Sequence, residues 1–453
     1  MSGLMSIYNR SPIFLQNLFT TLQGYAYKRE RFGKVYYETL EELKTRDYSD
    51  AAALARYQKQ RLIELADYAY AHSEFYKEFY RDVDWEKFHK TGDITLLPIL
   101  PKETVRRNIT RMYTVSPSEG VESNTSGTTG TTMRFYYTKE DRQRRMAYLD
   151  FFKMQHGYLP MKMKRASFNS SKIVPPQQKK KVFWRTNYAI QQRIYSGYHC
   201  KGENLRYYVE NLNRYQPQSL DGYPSALYEI AKYILDHKIK MSFRPIAIFP
   251  TAETLLPHYK ETIEKAFGCP VRDQYASSEG APFITECHCG KLHYCTDTGV
   301  IEFGEDGEMT VTCFETHGTP LLRYRIGDKA FPAGEQSCTC GCKMPVVERI
   351  EGRSLDYIQS KSNGRFTSIY LSLVSADFLN SVKKMQFIQN SADSVDVFLE
   401  TDDWYNDNMD RIILEKLQYS LGSDMCVHIH HVTEIEKDPS GKFRMVINNF
   451  SPK

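Results

Sequence analysis

The stretch "PIAIFPTAETLLPHYKETIEKAFGCPVRDQY", residues 245–275, decides the fold. Pro245-Ile-Ala-Ile-Phe249 is a short apolar run fit for a buried strand, and Leu256, Tyr259, Ile263 and Phe267 then recur at helical spacing until Gly268 stops the helix. Val271 to Tyr275 reads as the next strand. Strand, helix and strand within about thirty residues form a βαβ unit, whose right-handed crossover demands a parallel sheet with helices packed on it.

Working outward, Pro224 opens a helix with Leu227, Ile230 and Ile234 on one face. Towards the N-terminus, Leu54, Leu62, Leu65, Ala66 and Ala69 repeat at helical spacing between Ala51 and Tyr80. After Gly352-Arg353 the pattern changes. Phe366–Leu371, Gln386–Gln389, Val395–Glu400, Val427–His431 and Met445–Ile447 read as strands, and Asn406–Leu421 as a helix. The expected fold class is α/β: a large N-terminal domain over residues 1–352 with parallel-rich sheets and flanking helices, and a small α+β domain over 353–453.

The 453 residues, 41% hydrophobic, suffice for a large core plus a smaller one. Sixty basic against 55 acidic residues give a formal charge of +5 with no basic stripe, which argues against nucleic acid as the partner. No apolar stretch reaches the roughly 18 residues of a membrane span, and no signal peptide is evident, so a cytoplasmic location is expected. Oligomeric state is open, a homodimer included.

Three features carry chemistry. Thr125-Ser-Gly-Thr-Thr-Gly130 gathers hydroxyl donors around two glycines, a composition suited to wrapping phosphate, although no lysine follows as in a Walker A loop. Tyr275-Ala-Ser-Ser-Glu-Gly280 follows a strand's carboxyl end, where open α/β sheets bind ligands; Tyr275 suits a base and Glu279 a magnesium ion. Leu322-Arg-Tyr-Arg-Ile-Gly-Asp328 sets an acid after a glycine turn, suited to ribose hydroxyls. Pro439-Ser-Gly-Lys-Phe-Arg444 carries Lys442 on a tight turn.

With Leu97-Pro-Ile-Leu-Pro-Lys102 and Thr251-Ala-Glu-Thr254, these motifs stand in an order that resembles the adenylate-forming enzymes, most closely the phenylacetate–CoA ligase-like branch that includes capsular-polysaccharide (CapK-type) adenylating proteins. The resemblance spans nearly the whole chain. It implies an ATP-dependent acid ligase that makes acyl-AMP from a small carboxylic acid and transfers the acyl group to CoA or to an amine. The variants within that reading are direct transfer to a saccharide amine without CoA and, from a different class, a catalytically degenerate scaffold.

By the same resemblance Ser126, Gly127, Thr128, Thr129 and Gly130 hold phosphates. Tyr275 and Ser278 line the adenine side, Asp328 and Arg353 take the ribose, Glu279 holds magnesium, and Lys442 meets the oxyanion during adenylation. Gly352-Arg353 falls at the hinge of the small domain. The sequence departs from the family pattern at Thr131-Thr132, Ala276 and Leu355, the last leaving Asp356 as the nearest hinge acid.

Six of ten cysteines fall in two groups, Cys287/Cys289/Cys295 and Cys338/Cys340/Cys342. Two Cys-x-Cys-Gly turns suit a closed structural zinc site, with Cys287, Cys289, Cys338 and Cys340 as the preferred ligands and His293, Cys295 and Cys342 as substitutes. For the acyl group, Tyr223, Phe249 and Phe283 are candidates for an aromatic wall, and Arg244 or His258 for a polar acid.

Overall fold

A computed structural model describes residues 2–453 apart from 125–132, 170, 172, 176–177, 198, 201, 253–254, 256, 306, 335–336, 351–356, 368–370, 372–381, 402–404, 436–444 and 451–453. The chain divides into two compact units, one built from Met1–Ser123 and Arg134–Gly352 and the other carrying Arg353–Lys453.

The larger unit contains a five-stranded sheet in the order Trp184–Asn187, Gln192–Ser196, Arg165–Asn169, Ser219–Gly222, Ala247–Pro250. All neighbours are parallel except the edge strand Trp184–Asn187, which folds back antiparallel on Gln192–Ser196. Alternation sends Ala166, Phe168, Tyr195, Leu220 and Ile248 to one face, where the helices Leu205–Tyr215, Pro224–Asp236 and Pro257–Phe267 pack. Leu227, Ile230, Ala231 and Ile234 supply the buried stripe of the Pro224 helix, each aliphatic side chain contributing about 1.5–3 kcal/mol of burial. Pro224 occupies its first turn, where a missing N–H is harmless.

The crossover read from residues 245–275 is present with one correction. The helix Pro257–Phe267 ends at Gly268, φ +64°, and Val271 returns parallel to Ile248 through the Arg272 N–H to Ile248 carbonyl bond of 2.8 Å. The expected strand does not run on to Tyr275 in that sheet. It breaks at Arg272-Asp273, and Gln274–Tyr275 pairs antiparallel with Ile284–Glu286 at the edge of a second sheet. The break has a polar cause: Arg272 donates to Glu286 and to the Cys287 and His288 carbonyls, and the Asp273 N–H donates to Glu286 Oε2 at 3.0 Å.

This second sheet has seven strands in the order Gly299–Phe303, Glu308–Cys313, Tyr324–Pro332, Val346–Ile350, Leu292–Tyr294, Ile284–Glu286, Gln274–Tyr275, all antiparallel. The parallel character expected of the large domain is therefore confined to the first sheet. The helix Ala51–His72 buries Leu54, Leu62, Leu65, Ala66 and Ala69, the residues whose spacing announced it.

In the smaller unit a four-stranded sheet runs Cys426–Val432, Ser394–Thr401, Val382–Gln389, Val446–Asn448. Ser394–Thr401 and Cys426–Val432 are parallel, joined by the helix Asp407–Leu421, whose Ile413, Leu417 and Leu421 enter the core beside Val395, Val397 and Leu399. No helix among the described residues is long and apolar enough to cross a membrane.

Candidate functional site

The Tyr275–Gly280 turn is fixed by its backbone. Gly280 has φ +94°, and a Cβ there would come within 2.4 Å of Thr316 Cγ2, so both conformation and space call for glycine. Arg145, on the helix Lys139–Gln155, donates to the Ser277 carbonyl at 3.2 Å and to the Ala281 carbonyl at 3.3 Å, while its guanidinium lies 4.7 Å from the Phe283 ring centroid. The Ser278 carbonyl accepts from the Tyr137 hydroxyl at 2.8 Å and from Ser123 Oγ at 3.0 Å. Ser123 thus ties the foot of the hydroxyl-rich loop to this turn.

Glu279 is only 4% exposed. Its Oε1 accepts from Lys102 Nζ at 3.0 Å and its Oε2 from the Tyr324 hydroxyl. The Leu97–Lys102 segment delivers Lys102 through a parallel bridge between Leu100 and Tyr324, with the Leu100 N–H on the Arg323 carbonyl at 2.8 Å and the Arg325 N–H on the Leu100 carbonyl at 3.0 Å. Arg323 braces the same segment by donating to the Leu97 carbonyl at 2.6 Å while paired to Glu302. Four residues beyond Tyr324 on the same strand, past an irregularity at Gly327, Asp328 accepts from the Tyr275 hydroxyl through Oδ2 at 2.8 Å. Turn and strand are therefore joined at two points, Tyr275 to Asp328 and Glu279 to Tyr324.

Of the nucleotide-site residues expected from sequence, the structure brings Tyr275, Ser278, Glu279 and Asp328 together. Ser126, Gly127, Thr128, Thr129, Gly130, Arg353 and Lys442 lie outside the described residues. Lys102, Tyr324, Tyr137 and Arg145 had been given no role. For the first two the signal was available, since both sit inside motifs quoted from the sequence; Arg145 lies in an unremarkable charged helix and carried none.

The cysteine groups meet, with one substitution. Cys287, His293, Cys338 and Cys340 present ligand atoms all within 4.8 Å of one another. Cys287 Sγ lies 3.6 Å from Cys338 Sγ, and Cys340 Sγ 3.5 Å from His293 Nε2. Cys289, the expected fourth ligand, is exposed at the turn tip and accepts from Thr339 Oγ1. Hairpin geometry explains the exchange: Cys287 stands opposite Lys291 and Thr285 opposite His293, so Cys287 and His293 share one face, whereas Cys289 sits in the turn between. Cys295 is half-buried and its thiol is pushed up, first by desolvation and then by Asp297, which makes it a poor thiolate donor.

Within the cluster, the burial cost at Cys338 is outweighed by the Cys340 N–H, His293 and neighbouring thiols, which lower it to about 6. Cys340 is raised to about 12, mainly by burial and the adjacent thiols. His293 Nδ1 is engaged by the Met344 carbonyl at 3.0 Å, leaving Nε2 turned to the thiols.

The proposed aromatic wall does not form. Phe249 is fully buried against Phe152 and Tyr158, and Phe283 is buried beneath Arg145. A cavity of about 490 Å³ lies instead beside the cysteine cluster, bordered by Tyr148, Phe152, His156, Phe283 and Cys342.

The family model described as the CapK C-terminal domain matches residues 357–449. Protein CapK of Staphylococcus aureus is 42% identical over 452 residues, covering 98% of this chain and 99% of that one. Indoleacetate–lysine synthetase of Pseudomonas savastanoi is 29% identical over 128 residues, 27% of this chain and 32% of that protein. Among solved structures, 2-hydroxyisobutyryl-CoA ligase in complex with 2-HIB-AMP and CoA superposes with a TM-score of 0.57 at 17% identity, over 88% of this chain and 90% of that chain. Identity to a CapK protein along almost the whole of both sequences makes this chain a member of the CapK family, folded like an adenylate-forming CoA ligase.

Proposed function

We propose that this protein activates a small carboxylic acid with ATP. The acid's carboxylate oxygen attacks the α-phosphorus, the bond to the β-phosphate oxygen breaks, and acyl-AMP and pyrophosphate result. A thiol or amine then attacks the acyl carbon, loses a proton, and releases AMP. The observation that carries this reading is the double link of the Tyr275–Gly280 turn to the Tyr324–Asp328 strand, which groups an aromatic ring, two carboxylates and a cation at the motifs the resemblance assigns to nucleotide.

In this reading Tyr275 stacks on adenine, and Asp328 and Arg353 bind the ribose. The Ser126, Thr128 and Thr129 hydroxyls, with Gly127 and Gly130, hold the departing phosphates, and Lys442 neutralises charge on the reacting oxygens. Glu279 fits a magnesium ion by its chemistry, a carboxylate oxygen donor of the kind that hard divalent cations take, set beside Lys102 and Tyr324. When bound, magnesium supplies charge neutralisation to the phosphates. Arg145 and Tyr137 hold the turn's carbonyls so that Glu279 and Ser278 keep their positions.

Two acceptors are supported by relatives: CoA by the likeness to 2-hydroxyisobutyryl-CoA ligase, and an amine by the match to indoleacetate–lysine synthetase. Zinc at Cys287, His293, Cys338 and Cys340 is the structural part of the proposal. Three thiolates and one imidazole make a closed tetrahedral set, and the His293 to Met344 bond fixes the required tautomer.

Carboxylate-dependent exchange of labelled pyrophosphate into ATP, run over a panel of acids with Lys442→Ala beside the wild type, tests the activation step. Exchange with at least one acid, lost or much reduced in the variant, is expected. No exchange with any acid and no ATP binding would overturn it in favour of a scaffold. Adding CoA or amines to an exchanging pair then separates the two acceptors.

A further inference from the structure

The second face of the five-stranded sheet is divided: Ala247 and Phe249 at one edge are buried against Phe152 and Tyr158, whereas the part around Arg165 is polar. Alternation that sends Ala166, Phe168, Tyr195 and Leu220 into the apolar cluster sends Arg165, Ser167 and Asn169, Gln192 and Asp221 to the opposite side. The helix Ile13–Arg31 that shares this side is inverted. It buries Gln16, Thr20, Thr21 and Gly24, while Phe14, Leu18, Leu22 and Tyr25 are 68%, 49%, 55% and 57% exposed. A surface helix folded for packing alone turns its apolar stripe inward. Here the two surfaces border one cavity of about 530 Å³, a size typical of small-molecule sites, which Phe32, Met146, Met161, Ile190 and Ile194 also line.

The lining has a positive bias. Lys28 and Arg31 come from the last turn of the inverted helix, and Arg165 from the sheet. Arg165 Nε is 3.1 Å from Asp221 Oδ2, so its charge is matched. Arg31 has Glu30 at 4.0 Å and lies over the Tyr27 ring at 4.7 Å, and its buried Nε has no hydrogen-bond partner among the described residues. The one carboxylate in the lining, Asp150, is buried, accepts the Tyr36 hydroxyl at 2.9 Å, and is pushed by burial above its ordinary pKa. Arg142 is lowered to about 10, first by burial and then by Arg31, a crowding of cations that an anion relieves. Polar partners for hydroxyls are also present. Asn169 Oδ1 accepts the Ser171 N–H and the Gln192 amide donates to Ser167 Oγ, which leaves Asn169 Nδ2 and Gln192 Oε1 for a ligand.

We propose that this cavity binds a small polyhydroxylated anion of the sugar-acid or sugar-phosphate class, with Arg31 and Lys28 holding the anionic group and Asp150, Asn169 and Gln192 meeting hydroxyls. An acid without hydroxyls packs against the apolar part of the lining but desolvates Asp150, Asn169 and Gln192 without replacing their hydrogen bonds, which is costly. The site does not depend on the adenylation reading, since its occupancy is measured without ATP.

Titration calorimetry of the full chain with glucuronate, glucose 6-phosphate, glucose and phenylacetate tests it. One or both anions are expected to bind, and glucose and phenylacetate to bind at least tenfold more weakly. Arg31→Gln should weaken the anion about tenfold to a hundredfold, the loss of one charge-assisted hydrogen bond. Lys28→Gln is the second variant should Arg31→Gln fail to fold. Glucuronate preference identifies a carboxylate ligand and glucose 6-phosphate preference a phosphate. Absence of binding by both anions, binding indifferent to both substitutions, or phenylacetate binding with the same dependence on Arg31 would each overturn the proposal.

Discussion

Lys102 and Glu279, 177 positions apart, meet at 3.0 Å because the Leu97–Lys102 segment is bridged to the strand that also supplies Tyr324. Removing the lysine takes the cation from a carboxylate that is buried and also accepts from the Tyr324 hydroxyl. Lys102→Met is therefore expected to destabilise the protein by about 3 kcal/mol, seen as a shift in denaturant midpoint, and to lower pyrophosphate exchange. Unchanged stability would mean that the ion pair contributes nothing.

Tyr275→Phe keeps the ring and loses the bond to Asp328. One net hydrogen bond, about 1 kcal/mol, is the expected stability loss. If Asp328 is set towards the ribose by this bond, KM for ATP should rise several-fold with kcat nearly unchanged. Steady-state kinetics at saturating acid measures both.

The Asp141–His317 pair predicts a pH window. His317 Nδ1 lies 2.6 Å from Asp141 Oδ1; Glu315, Arg61 and the Tyr68 ring complete its surroundings. Burial alone would lower His317 and raise Asp141, yet their mutual attraction reverses both shifts. The stability due to His317 is complete below the ordinary histidine pKa and is lost as pH rises through the raised value. That due to Asp141 is complete above the ordinary carboxylate range and is lost as pH falls through the lowered value. Thermal unfolding between about pH 5 and pH 9 should show a decline on the alkaline side that flattens in His317→Gln.

Metal analysis of protein purified without chelator should find about one zinc per chain, and Cys338→Ser should lose it. Cys289→Ser should retain it, since Cys289 stands at the turn tip outside the four-ligand cluster. Loss by Cys289→Ser with retention by His293→Gln would return the ligand set to the four-cysteine arrangement expected from spacing.

Local periodicity was enough for the helices Ala51–His72 and Pro224–Asp236 and for the strand Ser394–Thr401, because each buries the residues that formed its pattern, whereas of the strand expected over Phe366–Leu371 the described part ends at Thr367, residues 368–370 lying outside the described residues. It failed at Val271–Tyr275, where one apolar run serves two sheets and the polar residues Arg272 and Asp273 mark the transfer. Tyr275, Glu279 and Asp328 were legible as ordered motifs. The motif that holds Lys102 was legible too, but its pairing with Glu279 was not, since that is set by a bridge between distant segments rather than by spacing. His293 replaced Cys289 because ligand choice follows the face of a hairpin, and a one-residue spacing leaves that face open. The inverted helix Ile13–Arg31 escaped notice because polar residues at buried positions look, in sequence, like a solvent face.

The break at Arg272-Asp273 has a mechanical consequence. Tyr275 is held by the antiparallel sheet, whereas the segment leading to it is anchored by Val271 on the parallel one. The Tyr275–Gly280 turn therefore reports the relative setting of two independent layers. Under the proposed function, small repacking in either layer, far from Glu279, is expected to register first as altered ATP affinity and only later as lost fold.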